Sequence, residues 1–191
     1  MIDSNQLIDK AKSSFERGDY SNALHLYELA IESSPVDLSP YFAAAHIYEH
    51  GLSSCGVDLL KAQAYYLKVV ELNSDISSVA HLAIARVIFK GGSRSLTSEA
   101  VRHCIEAIKI NGSAQAHMLL GAIYEYWENR PNDARRQFLL AYKKNMPWGM
   151  RFYARSLIRS GNSALGFLAH LWATLIGPFF ILRYGEHSPF G

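Results

Sequence analysis

Small and aromatic residues recur at helical spacing near the start of the sequence, between Glu16 and Pro35. Ala23, Tyr27 and Ala30 follow one another at intervals of four and three residues, which places them on one face of a helix. Two alanines on that face allow another helix to approach closely, and the tyrosine fills the space beside them. The pattern therefore predicts a helix that packs against a neighbour, with residues suited to packing rather than to catalysis.

Residues that begin and end helices bound this segment. Gly18 permits the positive φ at which a preceding helix can end. Ser21 or Asn22 can cap the next helix with a side-chain oxygen. Pro35 disfavours a helical residue before it and has no N–H to donate, so the helix stops there. The segment is predicted to be one turn and one helix of a helical hairpin.

The same arrangement returns along the chain, as in a repeat protein. The anchor alanines of the predicted second helices are Ala23, Ala62, Ala100, Ala134 and Ala164. Four positions later stand large side chains or a cysteine: Tyr27, Tyr66, Cys104, Phe138 and Leu168. Seven positions later stand Ala30, Val69, Ala107, Ala141 and Leu171. The predicted first helices share a small residue, at Ala11, Ala45, Ala85, Gly121 and Ala154. We therefore expect five hairpins, or about ten helices.

The first segment resembles the tetratricopeptide repeat, whose pattern it matches at Gly18, Asp19, Tyr20, Ala23, Tyr27, Ala30 and Pro35. Extra residues between the helices of repeats two and three are similar to the longer Sel-one-like repeat, above all from Tyr48 to Tyr66. The resemblance implies an all-α superhelix, or solenoid, of about five antiparallel helix pairs. It covers roughly residues 4–160, so residues 1–160 are assigned to the repeat domain, and the hydrophobic residues that follow assign 161–191 to a C-terminal helix.

Composition adds charge asymmetry to this picture. Half of the 191 residues are hydrophobic, and the formal net charge of +2 does not suggest a dedicated nucleic-acid binder. Residues 1–95 carry a net charge of −3, and residues 96–191 carry +5. Cys104 is expected in the core and Cys55 in a loop, without a disulfide framework. The N-terminus lacks the pattern of a secretory signal.

The resemblance implies that the first helices line a concave groove, and mapping it onto this chain gives candidate partner-binding residues. They are Lys12, Glu16, His46, Glu49, His50, Arg86, Lys90, Glu125, Tyr126, Arg151, Arg155 and Arg159. One interpretation is that these are ordinary solvated helix faces. The other is a groove whose basic end suits an acidic or C-terminal peptide of a protein partner.

His46, Glu49 and His50 also form an H-x-x-E-H string, in which two histidines one helical turn apart can share a metal ion. A zinc enzyme would need a third protein ligand and a water site. The repeat register places Tyr48 in the core and ends the string at the hairpin turn. We therefore predict a solvated patch in this place, with no catalytic residue, metal or cofactor.

The run from Ala164 to Leu182 carries no formal charge over 19 residues. As a helix it would reach roughly 28 Å, close to the ~30 Å hydrocarbon core of a bilayer. The preceding stripe of Arg151, Arg155 and Arg159 would favour the cytoplasmic side and anionic lipid. The sequence thus predicts a membrane-anchored helix, the alternative being a helix buried in the solenoid or in a dimer.

These observations favour a non-catalytic scaffold or adaptor that binds a protein partner at the cytoplasmic face of a membrane. A first alternative is a soluble, chaperone-like peptide binder whose apolar tail packs in the solenoid or in a dimer. The second alternative is a zinc-dependent enzyme, which depends on the histidine string alone.

Overall fold

The computed structural model describes residues 3–72 and 77–184, with side chains up to residue 175. Every regular element in these ranges is helical. The helices are α1 (Ser4–Glu16), α2 (Tyr20–Ser33), α3 (Leu38–His50), α4 (Leu59–Leu72), α5 (Ser77–Gly91), α6 (Thr97–Asn111), α7 (Ala114–Tyr126), α8 (Pro131–Lys143), α9 (Trp148–Arg159) and α10 (Ser163–Tyr184). A short 3₁₀ turn, Arg94–Leu96, precedes α6.

The chain divides into two compact units, residues 1–92 and residues 93–191. In the first unit, α1 packs on α2 and α3 packs on α4, and the contacts of α2 with α3 and of α4 with α5 link successive helices. In the second unit, α7 packs on α8 and α9 on α10, while α6 contacts α7 and α8 contacts α9. Each unit is therefore built from helices packed on their neighbours in sequence, as the first, second, fourth and fifth predicted hairpins require.

The predicted packing positions of the first four repeats are buried. The anchors Ala23, Ala62, Ala100 and Ala134 are all 0% exposed. The residues four and seven positions later are buried as well: Tyr27, Tyr66, Cys104, Phe138, Ala30, Val69, Ala107 and Ala141. Because a side chain larger than alanine would hold the neighbouring helix away at the anchors, these positions set the helix spacing. The predicted register of the second helices is confirmed over the first four repeats.

The first hairpin turn forms where it was predicted, with a different cap. Gly18 has a φ of 77°, the left-handed conformation that glycine adopts without steric cost. The carboxylate of Asp19 accepts a hydrogen bond from the backbone N–H of Asn22 at 3.3 Å. Asp19 therefore caps α2, and the expectation that Ser21 or Asn22 would do so is wrong. Asp19 directly follows Gly18 in the sequence, and aspartate is a favourable N-cap residue.

The last hairpin departs from the predicted register. Ala164, Leu168 and Leu171 are exposed rather than packed. Gly166 and Ala173, seven residues apart, face α9 instead and are buried. A Cβ at Gly166 would lie 2.5 Å from Cγ1 of Ile158 and 3.0 Å from the carbonyl oxygen of Ala154. Only glycine fits where α10 meets α9, so the packed face is shifted by two residues from the alanine-based prediction.

The opposite face of α10 is apolar and exposed. It carries Leu165, Phe167, Leu168, Leu171, Trp172 and Leu175, each close to half exposed or more. Within the residues that the structure describes, no helix is sufficiently long and apolar to cross a membrane. The end of the predicted span, residues 176–182, lies outside the residues whose side chains are described. The expected membrane-spanning anchor is therefore not supported.

Candidate functional site

The predicted groove residues fall into two clusters, one in each unit. The first unit brings together His46, Glu49 and His50 of α3 with Arg86 and Lys90 of α5. The second unit brings Glu125 and Tyr126 of α7 together with Arg155 and Arg159 of α9, and Arg151 lies one turn earlier on α9. Lys12 and Glu16 are exposed on α1.

In the first unit, Glu49 is the buried centre of an ion-pair network. The residue is only 2% exposed. Arg86 donates to its two carboxylate oxygens from Nε at 2.6 Å and from Nη2 at 2.7 Å. Lys90 Nζ lies at 3.2 Å, and the Tyr66 hydroxyl donates at 3.1 Å. The acceptor positions of this carboxylate are taken by residues of the same chain, so Glu49 is not presented to a ligand.

The charge state of Glu49 follows from these contacts. Burial by itself would raise the pKa of the carboxyl, but the hydrogen bonds and positive charges of Arg86 and Lys90 outweigh it. The pKa is lowered to about 2 from the usual 4.5. Glu49 is therefore ionised at neutral pH. Its single negative charge balances one of the two positive charges of Arg86 and Lys90.

The two histidines of the H-x-x-E-H string contact each other rather than converging with Glu49. Their ring centroids lie 4.3 Å apart, and Nδ1 of His50 donates to the carbonyl oxygen of His46 at 3.0 Å. Burial and the neighbouring His50 lower the pKa of His46. The part of the chain that the structure describes gathers no group of three metal-ligating side chains.

In the second cluster, the acid has the same repeat position as Glu49, but its contacts with arginine are longer. Glu125 stands four residues after the small residue of α7, as Glu49 does in α3. Arg159 Nη1 approaches Glu125 Oε1 at 3.4 Å, in a single contact rather than a bidentate one. Burial raises the pKa of Glu125, because the charges of Arg159 and Arg155 compensate its desolvation only in part.

A pocket of about 480 Å³ lies beside this cluster, along α9. Its lining consists of Trp148, Arg151, Phe152, Arg155, Ile158, Arg159 and His170. None of these seven residues is acidic. The guanidinium of Arg151 lies over the Trp148 ring at 4.8 Å, and that of Arg159 over the Tyr126 ring at 5.0 Å. The pocket thus combines an apolar floor with three permanent positive charges.

Sequence reasoning found the three arginines and missed the apolar floor. Trp148, Phe152 and Arg155 are spaced by four and three residues, so the helical period that identified the arginine stripe also places the aromatic rings beside it. His170 could not be placed in this way, because the register of α10 differs from the prediction. The arrangement is suited to an anion that also carries an apolar group, since guanidinium groups bind carboxylates and stack on rings.

Comparisons with solved structures show the fold. The chain is similar to the MamA protein at 16% identity and a TM-score of 0.76, with 97% of each chain covered. It is also similar to YrrB, described as a tetratricopeptide-repeat protein with an unusual peptide-binding site, at 16% identity, a TM-score of 0.70 and coverage of 95% and 91%. A third likeness is to TTC0263, a thermophilic tetratricopeptide-repeat protein of Thermus thermophilus, at 15% identity, a TM-score of 0.63 and coverage of 95% and 96%.

In fold, the chain is an all-α, tetratricopeptide-like helical-repeat protein. No family model matches the sequence, and no curated protein matches it.

Proposed function

We propose that this chain is a non-catalytic scaffold that binds an acidic segment of a partner protein in the second unit. The observation that carries the proposal is the α9 pocket, which sets Arg151 and Arg155 beside an apolar floor without any acidic residue in its lining. A similar fold in YrrB carries a peptide-binding site. Peptide recognition by a basic cluster follows from the charge and fork geometry of arginine.

The first unit plays a different part in this proposal. Its basic residues Arg86 and Lys90 already share the buried carboxylate of Glu49, so they offer less charge to a ligand. The second unit has the more exposed arginines and the weaker internal ion pair. Binding of an acidic segment is therefore assigned to α9 rather than to the α3–α5 cluster.

Fluorescence anisotropy of the full-length chain tests the proposal. The probe is a fluorescein-labelled ten-residue peptide of glutamate, serine and one phenylalanine, compared with peptides that carry glutamine or lysine in place of glutamate. We expect only the acidic peptide to bind, and Arg151→Gln with Arg155→Gln to weaken it at least tenfold. The control, Lys143→Gln with Lys144→Gln, removes the same charge outside the pocket lining. Equal losses in the two double variants would contradict a site on α9.

We also propose that the exposed apolar face of α10 binds the surface of a membrane, without α10 crossing it. The supporting observation is that six large apolar side chains face away from α9, in a run that stays uncharged from Ala164 to Leu182. An apolar surface of this length needs a cover of lipid or protein. The proposal commits to lipid, and its test is given at the end of the Discussion.

A further inference from the structure

The three arginines of α9 are not equivalent. Arg159 is held by Glu125 through the contact at 3.4 Å. Arg151 lies over Trp148, and neither Arg151 nor Arg155 forms a hydrogen bond or ion pair with a described residue. Within the described ranges, neither guanidinium group holds a carboxylate by a hydrogen bond or an ion pair, and Arg155 acts on Glu125 only through its charge. Arg151 and Arg155 are four residues apart on one helix.

Helix geometry fixes the spacing of the Arg151 and Arg155 backbones along the pocket. Four residues of an α-helix rise by about 6 Å. In an extended peptide, side chains at positions i and i+2 point to the same side and lie about 6.6 Å apart. Carboxylates on alternate residues of an extended peptide therefore recur at nearly the same interval as the two arginine positions.

A helical ligand also repeats at about 6 Å, between positions i and i+4. Its side chains form a cylinder roughly 10 Å or more across, which holds its backbone away from the apolar floor. An extended backbone is narrower, so it can run along the two arginines while one of its side chains enters the pocket of about 480 Å³. The extended ligand therefore uses both the arginines and the floor.

We propose that the α9 pocket takes an extended peptide with two acidic residues separated by one residue, one carboxylate on Arg151 and the other on Arg155. An apolar side chain two residues beyond either acid then reaches the floor, where Phe152 is half-buried and Ile158 is 47% exposed. This motif rests on the proposed function and names the class of partner segment that the site selects.

Glu125 shows how a carboxylate sits at this row of arginines. It occupies the third arginine from within the protein, so a ligand with three alternating acids gains little from its third charge. Arg159 is therefore the matched control for Arg155, because both are exposed pocket residues of the same type on the same helix face. Of Arg155 and Arg159, only Arg155 is assigned a carboxylate of the ligand.

The test uses three fluorescein-labelled peptides of identical composition with two glutamates, one phenylalanine and serine. The glutamates stand at i and i+1, at i and i+2, or at i and i+4, and each peptide is made in both sequence directions. We expect the full-length chain to bind one direction of the i, i+2 peptide about tenfold more tightly than the other spacings. Arg155→Gln should abolish this preference, and Arg159→Gln should keep it.

Each other outcome overturns the proposed motif. Equal affinity for the three spacings would leave acidic-peptide binding intact and refute the extended two-acid motif. Tightest binding of the i, i+4 peptide would indicate a helical ligand. Absence of binding to all three would refute the proposed function itself. Capture of phosphatidylserine vesicles through Arg151 and Arg155 without peptide binding would reassign the site to lipid headgroups.

Discussion

Glu49 links the charge of a single residue to the stability of the first unit. Its pKa is lowered to about 2 from 4.5 in spite of burial, because Arg86 and Lys90 hold the ionised form. A lowered folded-state pKa stabilises the fold above pH 4.5, and that stability is lost as the pH falls through about 2. The shift corresponds to on the order of 3 kcal/mol. The loss develops between pH 4.5 and pH 2, so urea unfolding of the wild type at pH 7 and pH 3 should show about 2 kcal/mol of it.

The variant Glu49→Gln isolates this contribution. It removes the charge but keeps the shape, so we expect it to be less stable than the wild type at pH 7 by about 3 kcal/mol. Its stability should then fall less between pH 7 and pH 3, because the group that titrates is gone. An identical pH dependence in the variant and the wild type would contradict the assignment of this ion pair.

At the matching position of the second unit, the ionised carboxylate of Glu125 is expected to have the opposite effect on stability. Burial raises its pKa, and the single contact with Arg159 does not offset the desolvation. A raised pKa means that the ionised carboxylate destabilises the fold at neutral pH, and that this cost is relieved as the pH falls through the folded-state pKa. We expect Glu125→Gln to be as stable as the wild type or more stable at pH 7. Thermal unfolding of Glu125→Gln beside Glu49→Gln provides the comparison, and a loss as large as that of Glu49→Gln would contradict it.

The contrast between these two acids marks the limit of prediction from sequence at this scale. The repeat pattern predicts that both acids and their basic partners share one face of the first helices. It does not state which guanidinium reaches its carboxylate in a bidentate geometry. Arg86 does so at 2.6 and 2.7 Å, whereas Arg159 stops at 3.4 Å. That difference depends on side-chain rotamers and helix placement, which the one-dimensional pattern does not contain.

At the scale of elements, the alanine-based register works where alanine is the contact residue and fails where glycine replaces it. Ala23, Ala62, Ala100 and Ala134 carry the predicted contacts with no exposed surface. In α10 a close contact with α9 is at Gly166, whose added Cβ would also lie 3.0 Å from the backbone N of Ile158. Ala164 fits the sequence spacing poorly and is exposed. A residue without a side chain leaves no signal in a hydrophobic pattern, so the shift could not be found there.

A pair of leucine substitutions tests the register of α10. Gly166→Leu forces a side chain into the contact with α9 and should destabilise the second unit by about 1–3 kcal/mol, although leucine is the better helix former. Ala164→Leu adds the same side chain on the exposed face and should change stability by less than about 0.5 kcal/mol. Hydrogen exchange of the α10 amides and the melting temperature measure the effect. The reverse order of the two variants would restore the register predicted from alanine spacing.

At the scale of the whole chain, composition and periodicity predict an all-α repeat protein, and the described helices agree with it. The charge asymmetry between residues 1–95 and 96–191 also agrees with the position of the acid-free pocket on α9. The membrane anchor is predicted from the length of the uncharged run and from the arginine stripe that precedes it. These criteria ignore which side chains pack on α9 and which face outward, and this distinction separates a helix that crosses a bilayer from one that exposes a single apolar face.

The outward face of α10 gives the last prediction, which concerns what covers it. Leu168 and Leu175 lie on this face, 60% and 63% exposed. We expect the full-length chain to float with neutral phosphatidylcholine vesicles in 1 M salt, where a Debye length of about 3 Å screens the arginines. Because the expected contact is apolar, detergent should release the protein from the vesicles and salt should not.

Charged residues on the outward face should abolish this contact. Leu168→Glu with Leu175→Glu places two carboxylates where lipid is expected, so the double variant should stay with the soluble fraction. Val36→Glu is the control, because Val36 is an apolar side chain 75% exposed in the first unit. If the wild type ignores vesicles but forms a concentration-dependent dimer that the double variant loses, a second copy covers α10 and the lipid assignment is wrong. If the double variant floats as the wild type does, this face is not what contacts the membrane.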